Sequence, residues 1–173
     1  MRNPITTTVD SPLGPLTLSA TDGFLTGLYM RGQRHAPAEP AEHRRDDAWF
    51  ADITGQIHAY FRGQLINFEV PVRLDGTQFQ CDVWSHLRDI PYGETISYGE
   101  LARRVGNPNA SRAVGLANGR NPIAVIVPCH RVIGSNGQLT GYGGGLDRKT
   151  WLLDHEAAHR PSRHPPAALP GRV

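Results

Sequence analysis

The stretch SYGELARRVGNPNASRAVGLANG at residues 97–119 predicts two short helices separated by a tight turn. Ser97 has the position of an N-terminal cap and Glu100 follows three residues later, so the first helix begins with the pattern of a capping box. The Gly-Asn-Pro-Asn segment at 106–109 ends that helix, because glycine and proline interrupt helical hydrogen bonding. A second helix over 110–118 completes the pattern of a helix-turn-helix.

Downstream of this pair, an apolar run leads into a group of chemically reactive residue types. Ile-Ala-Val-Ile-Val at 123–127 precedes Pro-Cys-His-Arg at 128–131. A glycine-rich segment covers 134–145, and a last helix is predicted from Asp147 through about Glu156. Residues 159–173 contain four prolines and no apolar period, which predicts a disordered tail.

The first part of the chain has the pattern of a small α/β unit. β-branched and alternating residues over 5–30, interrupted by turn signals, indicate antiparallel strands. Polar residues over 31–45 indicate a loop. Helical spacing of apolar residues follows over 48–61, and alternation over 68–74 predicts one more strand.

Two domains follow from these patterns. Apolar residues with helical spacing predict a further helix that ends before Pro91, namely Phe79, Val83, Trp84 and Leu87. We expect an α/β fold: a small N-terminal α/β domain with an antiparallel sheet over 1–75, and a mostly helical C-terminal domain with the helix-turn-helix over 76–158.

Composition and length exclude several classes of protein. The 173 residues are 39% hydrophobic and 20% charged, enough to form a packed core. No apolar run approaches the roughly 20 residues that span a bilayer, and no signal peptide is evident at the N-terminus. With only two cysteines, Cys81 and Cys129, a disulfide scaffold is excluded. These features predict a cytoplasmic protein with free thiols and no membrane partner.

The charge distribution indicates an anionic partner. The net charge is +2, but residues 1–75 carry a net −2 and residues 76–173 a net +4. A basic half suggests nucleic acid, although mild basicity is equally compatible with an ordinary solvated surface. Arg112 near the start of the second short helix and Arg120 at its end favour DNA contact.

Residue types alone suggest a nucleophilic cysteine but leave alternatives open. A thiol becomes a useful nucleophile when neighbours lower its pKa from about 8.5. His130 follows Cys129 directly, and Glu156 in the last helix could orient that histidine, as in a triad. A cysteine after an apolar run is nevertheless often only a small core residue. A helix-turn-helix regulator with a redox cysteine and a cysteine hydrolase are the competing interpretations.

Several motifs together resemble the O6-alkylguanine-DNA alkyltransferase family, the methylated-DNA–protein-cysteine methyltransferases. The resemblance is strong over residues 77–156 and loose over 1–75. It rests on motifs that fall in the family's order and spacing: Ile90-Pro-Tyr-Gly-Glu94, Ser97-Tyr98, Ser111-Arg112-Ala-Val-Gly115, Asn121-Pro122, Pro128-Cys129-His130-Arg131-Val132, Tyr142-Gly-Gly-Gly145 and Leu152-Leu-Asp-His-Glu156.

The resemblance implies DNA repair by direct reversal. The alkyl group of O6-alkylguanine, and of O4-alkylthymine, would move in one step to the sulfur of Cys129. No turnover would follow, because the thioether cannot leave. The target atom lies inside the duplex, so the base would be flipped out into a pocket. Relatives that bind damaged bases without transfer lack the cysteine, and Cys129 argues against that alternative. A ribonuclease-H-like N-terminal domain is also implied.

The same resemblance assigns roles residue by residue. Cys129 would be the nucleophile, His130 its base through a water molecule, and Glu156 the group that fixes the histidine tautomer. Tyr98 would donate a proton to the leaving guanine, and Asn121 would brace the cysteine loop. Arg112 would enter the base stack as a finger. Further substrate or DNA contacts are expected at Tyr142, Val132, Gly143, Ser97, Ala113, Gly115, Asn118 and Arg120.

The remaining expectations concern cofactors and partners. No metal or cofactor is predicted, since no cysteine precedes Cys81 and the histidines lack the spacing of ligands. The expected partner is double-stranded DNA that contains alkylated guanine. We expect a monomer, with cooperative assembly along DNA as an open alternative.

Overall fold

The N-terminal half forms a four-stranded sheet. The computed structural model describes residues 4–38 and 43–162. The β-branched and alternating segments form the predicted antiparallel hairpins, and a short fourth strand pairs in parallel with the first, in the order β3-β2-β1-β4. The strands are β1 (Ile5–Val9), β2 (Leu16–Thr21), β3 (Phe24–Met30) and β4 (Arg44–Arg45). β4 lies in the segment predicted as a loop, of which residues 39–42 fall outside the described residues.

Alternation along the strands determines which face of the sheet is buried. Leu16, Leu18 and Ala20 of β2 are buried while the residues between them are partly exposed, as the two-residue period of a strand requires. Helix α1 (Ala51–Phe61) adds Ile53, Ile57 and Tyr60 to the hydrophobic core. Gly63 then ends this helical segment with a φ of 71°, a conformation that favours glycine.

The strand predicted over 68–74 was wrong. Only one bridge forms there, between Val72 and Leu25, with Leu25 N–H donating to the Pro71 carbonyl and Arg73 N–H donating to Leu25. Pro71 has no N–H to donate, and proline also restricts the residue before it, so the ladder does not extend.

The second half is mainly helical. Four helices account for most of it: α2 (Gln78–Arg88), α3 (Tyr98–Arg104), α4 (Ser111–Gly119) and α5 (Leu146–Ala158). Helix α4 packs against both α2 and α3, and Trp84 on α2 donates its indole N–H to the Ala117 carbonyl over 2.9 Å. A short parallel pair of strands, β5 (Ile96–Ser97) and β6 (Val132–Ile133), was not predicted.

The start of α3 is capped from one side only. The Ser97 hydroxyl accepts the Glu100 N–H over 3.0 Å, as predicted. The predicted return bond from Glu100 is absent among the described residues, because its carboxylate pairs with Arg103 and Arg104 instead, at 2.8 and 3.1 Å. Two cationic neighbours one helical turn away compete with the backbone for the carboxylate.

The apolar run at 123–127 is buried but irregular. Val125 has a φ of 70°, and the Ile126 N–H donates to Ala124 in a tight turn. Strand β3 holds the run from the other half of the chain: Leu28 N–H donates to Pro122 over 2.9 Å, and Ala124 N–H donates to Leu28 over 3.1 Å. The buried apolar residues of both halves form one cluster, so the sheet supports the segment that leads to Cys129.

The chain beyond α5 is described only as far as residue 162. Arg160 pairs with Glu94 at 3.0 Å. The rest of the predicted disordered tail, 163–173, lies outside the described residues. Within the described part of the chain, no helix is both long and apolar enough to cross a membrane.

Candidate functional site

Cys129 begins a single turn of 3₁₀ helix over Cys129–Arg131, between the buried run and β6. Its side chain is buried, with 5% of the residue exposed. Asn121 braces the approach: its side-chain amide donates to the Val127 carbonyl over 2.7 Å and accepts the Ile123 N–H over 3.0 Å. Asn118 of α4 donates to the Cys129 carbonyl over 3.3 Å. Asn118 therefore ties the cysteine to the second helix of the helix-turn-helix, and Asn121 braces the segment that leads to the cysteine.

His130 and Glu156 meet although 26 residues separate them. His130 Nε2 lies 2.8 Å from Glu156 Oε1, and both side chains are completely buried. An ionised carboxylate only accepts hydrogen bonds, so Nε2 must carry the proton. In the neutral imidazole, Nδ1 is then the basic nitrogen. Nδ1 is buried and has no hydrogen-bond partner among the described residues.

The carboxylate of Glu156 is the centre of a buried network. Arg131 donates to both of its oxygens at 2.9 Å and to the Ile90 carbonyl at 2.6 Å. The Tyr60 hydroxyl and the Gly93 N–H supply two more donors. Burial alone would raise the pKa of Glu156, but the hydrogen bonds and charges of His130 and Arg131 outweigh it and hold this pKa well below its usual value.

Burial disfavours the charged forms of both Cys129 and His130. Burial raises the pKa of the Cys129 thiol, and Asn121 and Lys149 offset this only in part. Burial also lowers the pKa of His130, against the pull of Glu156. The neighbours of the Cys129 thiol therefore do not lower its pKa below the usual value.

Lys149 was missed in the sequence, although it is the only lysine of the chain. It is completely buried on α5, and its ammonium group donates to the Val132 carbonyl at 2.5 Å and to the Thr140 carbonyl at 3.1 Å. Burial lowers the pKa of Lys149 to about 8, although Cys129 acts in the opposite direction. The sequence signal that could have singled out Lys149 is that it is a single lysine beside seventeen arginines.

Tyr98 contacts the glycine-rich segment, and Tyr142 lies within it. The Tyr98 hydroxyl donates to the Thr140 carbonyl over 2.9 Å, and burial raises the pKa of this half-buried phenol. The Tyr142 hydroxyl is buried without a partner among the described residues, and burial raises its pKa well above the usual value. Both phenols therefore keep their protons at neutral pH.

The backbone N–H and carbonyl groups of Val132 and Gly143 have different hydrogen-bond partners. Val132 is fully buried, its N–H donates to Cys129 and its carbonyl accepts from Lys149. Gly143 is half-buried, and its carbonyl accepts the Arg34 N–H over 2.8 Å. A segment of the N-terminal half thus borders the glycine-rich loop, which sequence patterns did not indicate.

One side of α4 is solvent-exposed. Arg112, Ala113, Leu116 and Arg120 lie on this surface, hereafter the α4 face. Leu116 is 66% exposed although it is apolar, and no pattern in the sequence had singled it out. Gly115 is half-buried, and a Cβ atom there would lie 3.7 Å from the Tyr98 ring. Ser97 serves as the cap of α3.

A cleft of about 420 Å³ connects the α4 face with the glycine-rich loop. It is lined by parts of three segments: Gly32, Arg34 and His35; Gly115, Leu116 and Gly119; and Gly141–Gly145. No group of three or more histidine, cysteine or acidic side chains that could hold a metal ion occurs among residues 4–38 and 43–162.

The structure places a buried cysteine next in the chain to a histidine that is hydrogen-bonded to a buried carboxylate. Of the sequence-predicted site residues, Cys129, His130, Glu156, Asn121, Asn118 and Val132 are buried together, whereas Arg112, Ala113 and Arg120 are exposed. Such a set supports transfer of an electrophilic group to sulfur.

Family models match both halves of the chain. Residues 78–158 match the DNA binding domain of 6-O-methylguanine DNA methyltransferase, and residues 5–74 match its ribonuclease-like domain. The methylated-DNA–protein-cysteine methyltransferase of Mycolicibacterium paratuberculosis is 54% identical over 155 residues, which are 90% of this chain and 93% of the relative. That of Methanosarcina acetivorans is 49% identical over 150 residues, covering 86% and 96%.

Solved structures agree with these matches. The Mycobacterium tuberculosis O6-methylguanine methyltransferase superposes with a TM-score of 0.85 at 52% identity, covering 92% of this chain and 96% of that one. The M. tuberculosis OGT in complex with DNA superposes with a TM-score of 0.83 at 52% identity, covering 90% and 94%. The predicted resemblance is thereby confirmed, and the chain belongs to the methylated-DNA–protein-cysteine methyltransferase family.

Proposed function

We propose that this protein repairs alkylated DNA by moving an alkyl group from guanine O6, and from thymine O4, to the sulfur of its own Cys129. The observation that carries the proposal is a buried cysteine beside a histidine–carboxylate pair in a chain of this family. The C–O bond of the lesion breaks and an S–C bond forms. A thioether is a poor leaving group, so each molecule reacts once.

The proton of the thiol passes to His130. Nδ1 is the nitrogen available as a base, since Nε2–H is engaged by Glu156. A water molecule between Nδ1 and the sulfur would carry the proton, as the family resemblance implies. Glu156 then stabilises the imidazolium that forms, as the third member of a triad does.

Tyr98 supplies the proton that the leaving guanine requires. Its phenol is neutral at physiological pH because burial raises its pKa, and its hydroxyl points at the glycine-rich loop. Protonation of the base as the C–O bond breaks avoids a free anion and lowers the barrier. Tyr142, Val132 and Gly143 line the pocket for the extruded base in this proposal.

The α4 face binds the duplex. The guanidinium groups of Arg112 and Arg120 have no ion pair or hydrogen bond among the described residues, so both are available to phosphates or bases. Arg112 fills the space that the flipped base leaves, and Ala113 and Gly115 allow close approach of the helix. Asn118 acts from the buried side of α4, through its hydrogen bond to the Cys129 carbonyl. Ser97 acts by capping α3 and so positioning Tyr98.

The two halves of the chain divide the work in this proposal. Residues 76–158 form the DNA-binding and transfer domain, residues 1–75 form the ribonuclease-H-like domain that supports it, and residues 159–173 form a tail. The protein acts in the cytoplasm as a monomer on double-stranded DNA with alkylated guanine, and needs no metal or cofactor.

A mass measurement tests the proposal. The protein is incubated with a duplex that contains one O6-methylguanine, and its peptides are then weighed. We expect a gain of one methyl group on the peptide that contains Cys129 and none on the peptide with Cys81. DNA binding without a mass gain would refute the transfer reaction and favour a binding protein.

A further inference from the structure

Tyr60 connects the N-terminal half of the protein to the reacting groups. It lies on α1, 96 residues from Glu156, yet its hydroxyl donates to Glu156 Oε1 over 2.7 Å. Tyr60 and Glu156 are both 0% exposed. No resemblance or sequence motif assigned Tyr60 a role.

Tyr60 donates to the same oxygen as the proposed base. Glu156 Oε1 accepts from His130, Tyr60 and Arg131, whereas Oε2 accepts from Arg131 and the Gly93 N–H. Each further donor on Oε1 draws negative charge from it and weakens its attraction for the proton on His130 Nε2.

We propose that Tyr60 is a positioning residue for the transfer reaction, which acts through Glu156 to set how readily His130 accepts the proton of Cys129. The inference rests on the proposed function, because it concerns the base of that reaction. It also gives the N-terminal half a chemical contribution besides its support of the Cys129 segment.

A substitution of the Tyr60 hydroxyl leaves the other charged or titratable groups around Glu156 and His130 unchanged. Arg131 and Tyr92 face Glu156, and Lys149 and Arg131 act on His130, besides Cys129 next to it. Arg131 grips both carboxylate oxygens, so removal of the Tyr60 hydroxyl leaves Glu156 in place. What changes is the charge on Oε1.

The variant Tyr60→Phe removes the hydroxyl and keeps the ring. With one donor fewer, Oε1 holds the His130 proton more strongly. The acid limb of the pH–rate profile for transfer from O6-methylguanine duplex should then move upward, by roughly 0.5 to 1 pH unit for the loss of one hydrogen bond. The buried aromatic contacts of the ring with Phe68 and Tyr92 are kept.

Tyr92→Phe is the matched control. Tyr92 is a buried tyrosine of the same core, its ring centroid lies 6.0 Å from that of Tyr60, and Arg131 lies over its ring at 5.6 Å. Its hydroxyl has no hydrogen-bond partner among the described residues. This variant should leave the acid limb within about 0.2 pH unit of the wild type.

A second variant covers the case in which Tyr60→Phe does not fold. A fluorinated tyrosine at position 60 keeps the hydroxyl and the packing but donates more strongly, so the acid limb should move downward. If Tyr60 sets the proton affinity of His130, the two substitutions should shift the acid limb in opposite directions. A merely structural role does not produce opposite shifts.

A direct titration separates this inference from the proposed function. The His130 ring is followed by NMR in Cys129→Ala, with and without Tyr60→Phe, and is assigned by comparison with His130→Asn. We expect the His130 midpoint to rise when the Tyr60 hydroxyl is absent. An unchanged midpoint, or an equal change in Tyr92→Phe, overturns the inference, whereas a wild type that never gains a methyl group overturns only the proposed function.

Discussion

The buried cluster of Cys129, His130, Arg131 and Glu156 differs from the α4 face in how its polar groups are satisfied. In the cluster, Glu156 alone accepts five hydrogen bonds from four residues. On the α4 face, the side chains of Arg112 and Arg120 have no hydrogen-bond or ion-pair partner within the described part of the chain.

This difference separates two tasks. A buried network has a fixed geometry and strong interactions, because little water competes for its groups. Exposed arginines interact weakly with the rest of the protein and remain available for a polyanion. We therefore expect substitutions in the cluster to affect chemistry and stability, and substitutions on the α4 face to affect the handling of DNA.

Cys129→Ala should abolish transfer and leave DNA binding largely intact, because only the thiol forms the new bond. Mass spectrometry measures the transfer and a gel-shift assay measures the binding. Cys81→Ala is the control, since Cys81 lies on α2 and its thiol contacts the Leu74 carbonyl. An inactive but folded Cys81→Ala variant would show that the nucleophile has been chosen wrongly.

Glu156→Gln should destabilise the fold and slow transfer. The substitution removes the charge that compensates buried Arg131, and breaking a buried ion pair in this way costs about 3–5 kcal/mol. Loss of the acid–base pair should slow transfer by about 10²-fold or more. Urea unfolding measures the first effect and single-turnover kinetics the second.

The exposed ion pair of α3 offers the comparison for that variant. Glu100→Gln removes an acid that binds Arg103 and Arg104 at the surface, and should lower the free energy of unfolding far less than Glu156→Gln, because water screens exposed ion pairs. Equal losses of unfolding free energy in the two variants would contradict the contrast between buried and exposed groups.

Arg112→Ala should slow repair of duplex lesions by about tenfold or more, because the extruded state loses the side chain that offsets a few kcal/mol of unstacking. Reaction with free O6-benzylguanine, which needs no flipping, should be nearly unchanged. Arg120→Ala is the control on the same face and should mainly weaken binding, with a salt slope reduced by about 1. If Arg112→Ala slowed both reactions equally, the residue would serve the pocket or the fold instead.

Lys149 should make stability depend on pH in the alkaline range. Its pKa of about 8 in the folded protein lies below the usual 10.5, so between these values the unfolded chain binds more protons. The free energy of unfolding should therefore rise with pH, by about 1 kcal/mol from pH 7 to 9. Urea unfolding in the Cys129→Ala background avoids ionisation of the thiol, and Lys149→Met in that background should lose this rise. A rise of equal size in both proteins would exclude Lys149 as its source.

Local sequence was sufficient for much of the fold. The helices over 78–88, 98–104 and 111–119 follow from apolar spacing and from interruptions at glycine and proline, which act within a few residues. The motif around Cys129 and the acid of the last helix could be identified because residue type and order carried the family resemblance. Hairpins over 5–30 were predictable for the same reason, since turn residues and alternation are local signals.

Tertiary structure alone decided the features that depend on distant partners. Alternation over 68–74 predicted a strand, but the pairing available beside Pro71 allowed one bridge. The parallel pair of β5 and β6 joins segments 36 residues apart, and the bond between Tyr60 and Glu156 spans 96. The pKa of Cys129 likewise depends on burial, which no neighbour in sequence determines. Residue types and short spacings thus identify the residues proposed to react, whereas the three-dimensional packing of both halves sets the direction of their pKa shifts and their hydrogen-bond partners.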